Sequence, residues 1–174
     1  MTTTPTETTL PALVHRSGRA DLGRSVWYTG ALLTFLATGA ETGGRFALVE
    51  EVFRKGVTVL PPLHSHSREE ESFYVVDGEM IFYVGDQVIP APAGTLVVMP
   101  RGVPHGYAMV TDDARLLNLI TPAGFENMFR DLGEPAQELA LPPPTGGPPD
   151  RARVAATAAA YGVEMVGPPP VAAR

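Results

Sequence analysis

Between Leu63 and His105 the chain holds two clusters of metal-ligand residue types at regular spacing. The first is His64-Ser65-His66, four further residues, Glu71, six more and Gly78. The second runs from Gly94 through Pro100 and Gly102 to His105. Three imidazoles and one carboxylate offer a first-row transition metal a mixed nitrogen and oxygen shell. The chain has four histidines in all, and this pattern takes three of them. Four protein donors on a metal that accepts five or six leave room for exogenous oxygen ligands, as in catalytic rather than structural sites.

These residues can meet only if antiparallel strands fold back over one another. Side chains alternate faces along a strand, so His64 and His66 point the same way. Glu71 opens the extended stretch to Asp77, with Phe73 and Val75 on its face. Choosing Glu70 instead would turn Ser72, Tyr74 and Val76 inward, also a plausible core face; the count back from Gly78 favours Glu71. Glu69 and Glu70 read as solvated charges at a loop edge. Gly78 marks a turn, Gly85-Asp86 has the glycine-first form of a two-residue hairpin loop, and Ala93-Gly94 is another turn. Pro100-Arg101-Gly102 bends the chain before His105.

Short apolar runs alternate with turn signals from Ser25 to Ile120, as in a sandwich or barrel. Ala31 to Leu36 and Arg45 to Glu50 read as strands before the first cluster. Leu96 to Met99 and Arg115 to Ile120 read as strands flanking the second. After Pro122 the period changes. Phe125, Met128, Phe129 and Leu132 follow a helical spacing that stops at Gly133. Leu141 to Pro144 reads as an extended linker, and Pro149 to Tyr161 as an Ala-rich helix opening near Asp150. Residues 1–22 form a polar Thr-rich leader, where His15 is an exposed bystander; 23–121 form the barrel; 122–174 form a helical extension and tail.

Composition bounds the function. The chain has 174 residues, 44% of them hydrophobic, enough for one core. No cysteine is present, which excludes disulfides and thiolate metal sites. A net charge of -6 without a basic cluster argues against nucleic acid and anionic membrane surfaces. The leader lacks the order of a signal peptide, no apolar run reaches membrane-spanning length, and the expected location is cytoplasmic.

The segments PPLHSHSREEESFYVVDGE and GTLVVMPRGVPH resemble the paired motifs of the cupin superfamily. More narrowly, the chain resembles single-domain cupins grouped with quercetin (flavonol) dioxygenases. Val26-Trp27-Tyr28, Thr42-Gly43-Gly44, the run Thr121 to Glu126 and the run Leu132 to Ala136 extend the likeness over most of residues 20–165. Two positions depart from the superfamily pattern: Thr58 stands where a glycine is usual, and Met109 where an asparagine is. The resemblance implies an all-β jelly-roll barrel with short C-terminal helices. It also selects Glu71 over its acidic neighbours and implies one divalent metal (iron, manganese, nickel, cobalt, copper or zinc) on His64, His66, Glu71 and His105.

The implied reaction is oxygenative opening of a flavonol-like or other enolisable aromatic molecule, with dioxygen as co-substrate and Glu71 doubling as general base. The barrel interior reads as an apolar pocket lined by Phe73, Val75, Val97 and Met99, with Phe35, Phe46, Tyr83 and Met109 as further candidates. The Phe125/Met128/Phe129 stripe packs against the barrel, or, as the resemblance implies, lids its mouth with Phe125 and Phe129 on the pocket. A homodimer through outer strands, with Val26 to Tyr28 as the edge, is the expected assembly. The alternatives are a non-oxidative metal-dependent isomerase, cyclase or decarboxylase, and a non-enzymatic small-molecule-binding cupin.

Overall fold

The computed structural model describes residues 12–15, 19–143 and 150–170. Most of the expected leader, and Pro144 of the expected linker, lie outside the described residues. The first strands are β1 (Ser25–Tyr28), β2 (Ala31–Ala37), β3 (Ala47–Arg54), β4 (His64–His66), β5 (Glu70–Asp77) and β6 (Glu79–Val84). They are followed by β7 (Gln87–Pro92), β8 (Leu96–Met99), β9 (His105–Met109), β10 (Asp113–Thr121), β11 (Glu134–Pro135) and β12 (Val163–Met165). Among the described residues there are also three α-helices, α1 (Gly39–Thr42), α2 (Glu126–Leu132) and α3 (Arg151–Ala160), and a 3-10 helix at Arg19–Arg24. Among the described residues no helix is long and apolar enough to cross a membrane.

The strands form two antiparallel sheets, one of seven in the order β11-β1-β2-β3-β10-β5-β8 and one of five in the order β12-β4-β9-β6-β7. Alternation sets the faces. On β5, Glu71, Phe73 and Val75 are buried while Glu70, Tyr74 and Asp77 are exposed, the face that the spacing predicts. On β10, Ala114, Leu116, Asn118 and Ile120 turn inward.

Two apolar clusters share the long sheet. One lies between the sheets, where Phe73, Val75, Met99 and Leu116 meet Met80, Phe82 and Met109. In the other, helices take the place of the short sheet: Phe35, Val49 and Ile120 pack against Phe125, Met128 and Phe129 beside α2. The Glu126 carboxylate accepts from Gly39 N at 2.9 Å and Gly124 N at 2.5 Å, tying α2 to the sheet. Helix α3 starts at Asp150, whose side chain accepts from Ala152 N and Arg153 N.

Residues after Pro122 supply strands as well as helices, one to the edge of each sheet. β11 pairs with β1, setting Val26 against Pro135 and Trp27 against Glu134. The expected free edge at Val26–Tyr28 is therefore covered, and Trp27 Nε1 donates to Ala140 O at 2.8 Å. The cover, at Val26 and Trp27, comes from more than a hundred positions downstream, which local periodicity does not reveal. His15, expected to be exposed, is half-buried.

The turns follow the glycine signals. Gly85-Asp86 joins β6 to β7 with Gly85 at φ 57°. Gly78 alone links β5 to β6 at φ 81°, and a Cβ there would sit 2.4 Å from Asp113 O. Gly94, at φ 92°, has nothing within 4 Å of the equivalent point. Gly94→Ala thus meets only backbone strain, about 1 kcal/mol, whereas Gly78→Ala must also displace a neighbouring strand and costs roughly 3 kcal/mol. Urea denaturation of the two variants checks this; equal losses would contradict it.

Candidate metal centre

The two imidazoles of β4 and the one that opens β9 come from the short sheet. His64 and His66 are buried while Ser65 between them is not. His64 pairs directly with His105 across the β4–β9 ladder. The other edge of β4 carries β12, with Met165 opposite His64 and Val163 opposite His66. This short strand is thereby clamped on both sides. Glu71 reaches the same point from β5 in the long sheet. The four side chains are buried, and one donor atom from each lies within 4.8 Å of the others.

Each imidazole is held by its Nδ1 atom. His64 Nδ1 donates to Pro62 O at 2.7 Å, and His105 Nδ1 donates to Val103 O at 2.9 Å. His66 Nδ1 donates to the Glu69 carboxylate at 2.5 Å. In a neutral ring this assignment leaves the lone pair on Nε2, facing the cluster. The Nε2 atoms of His66 and His105 are buried and form no directed hydrogen bond. They lie 3.1 and 3.5 Å from Glu71 Oε2. Acceptors facing one another at so short a range need a proton or a metal cation between them, and the donor set fits a metal ion: His64, His66, Glu71 and His105 can bind one.

The electrostatics give the same result. Burial pushes the His64 pKa down to about 4, further lowered by His105 and His66, though Glu71 opposes this. Burial also pushes His66 down, but Glu71 and Glu69 outweigh it and bring its pKa up to about 9. Glu71 is buried too, yet the charge on His66 and the nearness of the His105 imidazole hold it well below the usual carboxylate range. Without a metal, a proton on His66 supplies the positive charge that the cluster demands.

Two partners were not legible as such, or were read otherwise. Glu69, expected to be solvated, is 4% exposed and orients His66; only Glu70 is exposed. Glu69 precedes β5, where strand alternation gives no guide to its direction. Asn118 is fully buried, and its Nδ2 donates to Glu71 Oε1 at 2.8 Å and to Glu51 Oε1 at 3.1 Å. A signal existed for both residues. Glu51 falls in register with Val49 and Phe53, and Asn118 with Leu116 and Ile120, so each interrupts an otherwise apolar inward face.

A cavity of about 480 Å³ opens from the donor atoms between the two clusters. Phe73, Phe125 and Phe129 line it, together with His64, Glu71 and Tyr107. The Phe125 ring stands edge-on to His66 at 4.4 Å between centroids. Seven expected lining residues lie elsewhere; of these, Val97 packs between the sheets, Phe35 packs in the cluster beside α2, and Phe46 is half-buried outside the cavity wall. Val75, Met99 and Met109 point inward but are consumed by packing between the sheets. Tyr83 alternates with the buried Phe82 and Val84 and so faces away from them. Thr58, one of the two departures from the cupin pattern, lies in the cavity wall.

Metal binding at Nε2 must displace the His66 proton, since its pKa of about 9 keeps it protonated at neutral pH. Zinc titration of the metal-free protein near pH 7 should release about one proton from this group, and apparent affinity should rise about tenfold per pH unit up to pH 8. Calorimetry in buffers of different ionisation enthalpy reads both. Glu69→Ala should weaken zinc binding roughly ten- to a hundredfold in a competing-chelator titration. Affinity unchanged by either pH or this substitution would contradict the geometry.

Residues 52–120 match a family profile described as a cupin domain. Over 107 residues the chain is 27% identical to quercetin 2,3-dioxygenase of Bacillus subtilis (strain 168), a match covering 62% of this chain and 31% of that protein. It is 28% identical over 127 residues to quercetin 2,3-dioxygenase of Aspergillus japonicus, covering 69% of this chain and 36% of that protein. The chain thus spans about a third of the length of these curated relatives. Among solved structures, an RmlC-like cupin from Shewanella frigidimarina NCIMB 400 superposes with a TM-score of 0.53 at 23% identity, over 66% of this chain and 96% of that one. KdgF from Halomonas sp. gives 0.50 at 20% identity, over 57% and 87%. At these identities the structural likeness is one of fold. With its two-sheet architecture and its match to the cupin domain profile over residues 52–120, the chain resembles the cupins, and its sequence is similar to the quercetin 2,3-dioxygenases.

Proposed function

We propose that the chain is a metal-dependent dioxygenase acting on a flavonol-like or other enolisable aromatic molecule. The observation that carries this reading is that two of the four donors, His64 and Glu71, line a cavity walled by Phe73, Phe125 and Phe129. Low-identity likeness to two quercetin 2,3-dioxygenases supports the same reaction class. When bound to His64, His66, Glu71 and His105, the metal supplies Lewis acidity and, for redox-active ions, electron transfer to oxygen functions. Iron, manganese, nickel, cobalt, copper and zinc all suit this nitrogen and oxygen shell.

The chain's own residues do the rest. Aromatic walls receive a flat ring system and exclude water, which strengthens every charge interaction inside. Glu71 accepts the proton of a substrate hydroxyl on its carboxylate. Asn118 holds Oε1 of that carboxylate, leaving Oε2 turned toward the imidazoles and the cavity. An ionised Glu71 is ready to act as base at neutral pH.

A non-oxidative proton-transfer reaction has one specific support. Burial pushes the Glu51 pKa up to about 8, against the pull of Asn118 and with added repulsion from Glu71. One neutral and one ionised carboxyl linked by a single amide form an acid and base pair that needs no dioxygen.

Oxygen uptake on adding quercetin to the metal-loaded protein separates the two readings. The dioxygenase reading expects uptake that His66→Ala abolishes along with the metal. It expects Glu71→Gln, in protein that still holds its metal, to lower turnover by at least a hundredfold. Full turnover in Glu71→Gln would remove the base role. Conversion of the flavonol without oxygen consumption would favour the proton-transfer reading.

A further inference from the structure

Three polar groups in the cavity wall are not used by the metal donors. Glu51 is 2% exposed and, among the described residues, its carboxyl has Asn118 as its one hydrogen-bond partner and no ion pair. Tyr107 on β9 is 8% exposed, and Tyr28 on β1 is half-buried. Both line the same cavity, and neither hydroxyl hydrogen-bonds to a described residue. The ring of Tyr107 is fixed by stacking on Phe53 at 5.9 Å and by contacts with Phe73 and Phe82. Tyr28 is set against Phe129 at 5.6 Å.

A carboxyl and two hydroxyls that line a cavity without protein partners beyond Asn118 are free to hydrogen-bond a ligand there. Phenols ionise only near pH 10. Both phenols therefore keep their protons and stand ready as donors. Glu51 is also close to the metal donors, since one Asn118 nitrogen bonds Glu51 at 3.1 Å and Glu71 at 2.8 Å.

We propose that Glu51, Tyr28 and Tyr107 form a second polar subsite beside the metal donors, which hydrogen-bonds a further oxygen function of the substrate. The ligand class that fits is a planar aromatic with at least two separated oxygen groups: one for the metal and Glu71, another for this subsite. An aromatic with a single metal-directed oxygen motif leaves the subsite unfilled and binds more weakly. This inference rests on the cavity being a site for aromatic small molecules, but not on dioxygen being consumed.

The test is equilibrium binding to the full chain loaded with zinc, so that turnover does not intervene. The probes are 3-hydroxyflavone and quercetin, which share the metal-directed oxygens and differ in added hydroxyls. Quercetin should bind at least tenfold more tightly to the parent protein, the effect of one or two good hydrogen bonds. The Tyr28→Phe/Tyr107→Phe double variant keeps both rings, and Glu51→Gln keeps the volume and the Asn118 contact. Each should reduce the preference to below threefold while leaving the 3-hydroxyflavone affinity within about twofold. A preference retained in both variants, no preference in the parent, or no binding of either probe to zinc-loaded protein would overturn the proposal. If Glu51→Gln fails to fold, the tyrosine variant decides alone. Loss of the preference in the variants, with no oxygen uptake by the metal-loaded parent, would keep the subsite and remove the dioxygenase reading.

Discussion

Three imidazole nitrogens and a carboxylate converge on one point between the two sheets, and a positive charge must sit among them. Much of the local architecture serves that convergence. The carbonyls of Pro62 and Val103 and the carboxylate of Glu69 each take one Nδ1 proton and so turn the opposite nitrogens inward. Clamping β4 between β9 and β12 prevents a two-histidine strand from sliding out of register. A one-residue slip would turn both imidazoles away from Glu71.

The opposite wall repeats this economy of polar groups. Across the long sheet, Glu51, Asn118 and Glu71 form a polar line through strands otherwise packed with Val, Leu, Ile and Phe. Burying three such groups costs several kcal/mol unless they bond one another or a ligand. Asn118 offsets part of that cost by serving both carboxyls. Its own Oδ1 is buried without a partner among the described residues, so the network is incomplete within them. Polar groups left wanting at a cavity wall are a mark of a binding surface rather than of a structural core.

Period-two alternation and turn chemistry made much of this readable. The face shared by Glu71, Phe73 and Val75, the Gly85-Asp86 hairpin, and α2 ending at Gly133 all follow from local rules. Local rules say which residues point inward, but not whether they meet neighbours or empty space. Val75, Met99 and Met109 point in and are packed solid, whereas Leu33, Phe53 and Tyr107 point in and border the cavity. That difference depends on where the short sheet ends and the helices take over. Glu69 lay beyond alternation because it belongs to a loop, and the covering of β1 by β11 depends on a contact distant in sequence. Glu51 and Asn118 were detectable as polar interruptions of apolar strand faces.

The most direct test of a metal held by these four side chains is an anomalous diffraction map from crystals of the cobalt-loaded protein. A single strong peak should lie about 2.0–2.2 Å from Nε2 of His64, His66 and His105 and from a Glu71 oxygen. A peak bonded through Nδ1, or cobalt bound only at the surface with the cluster empty, would contradict the account.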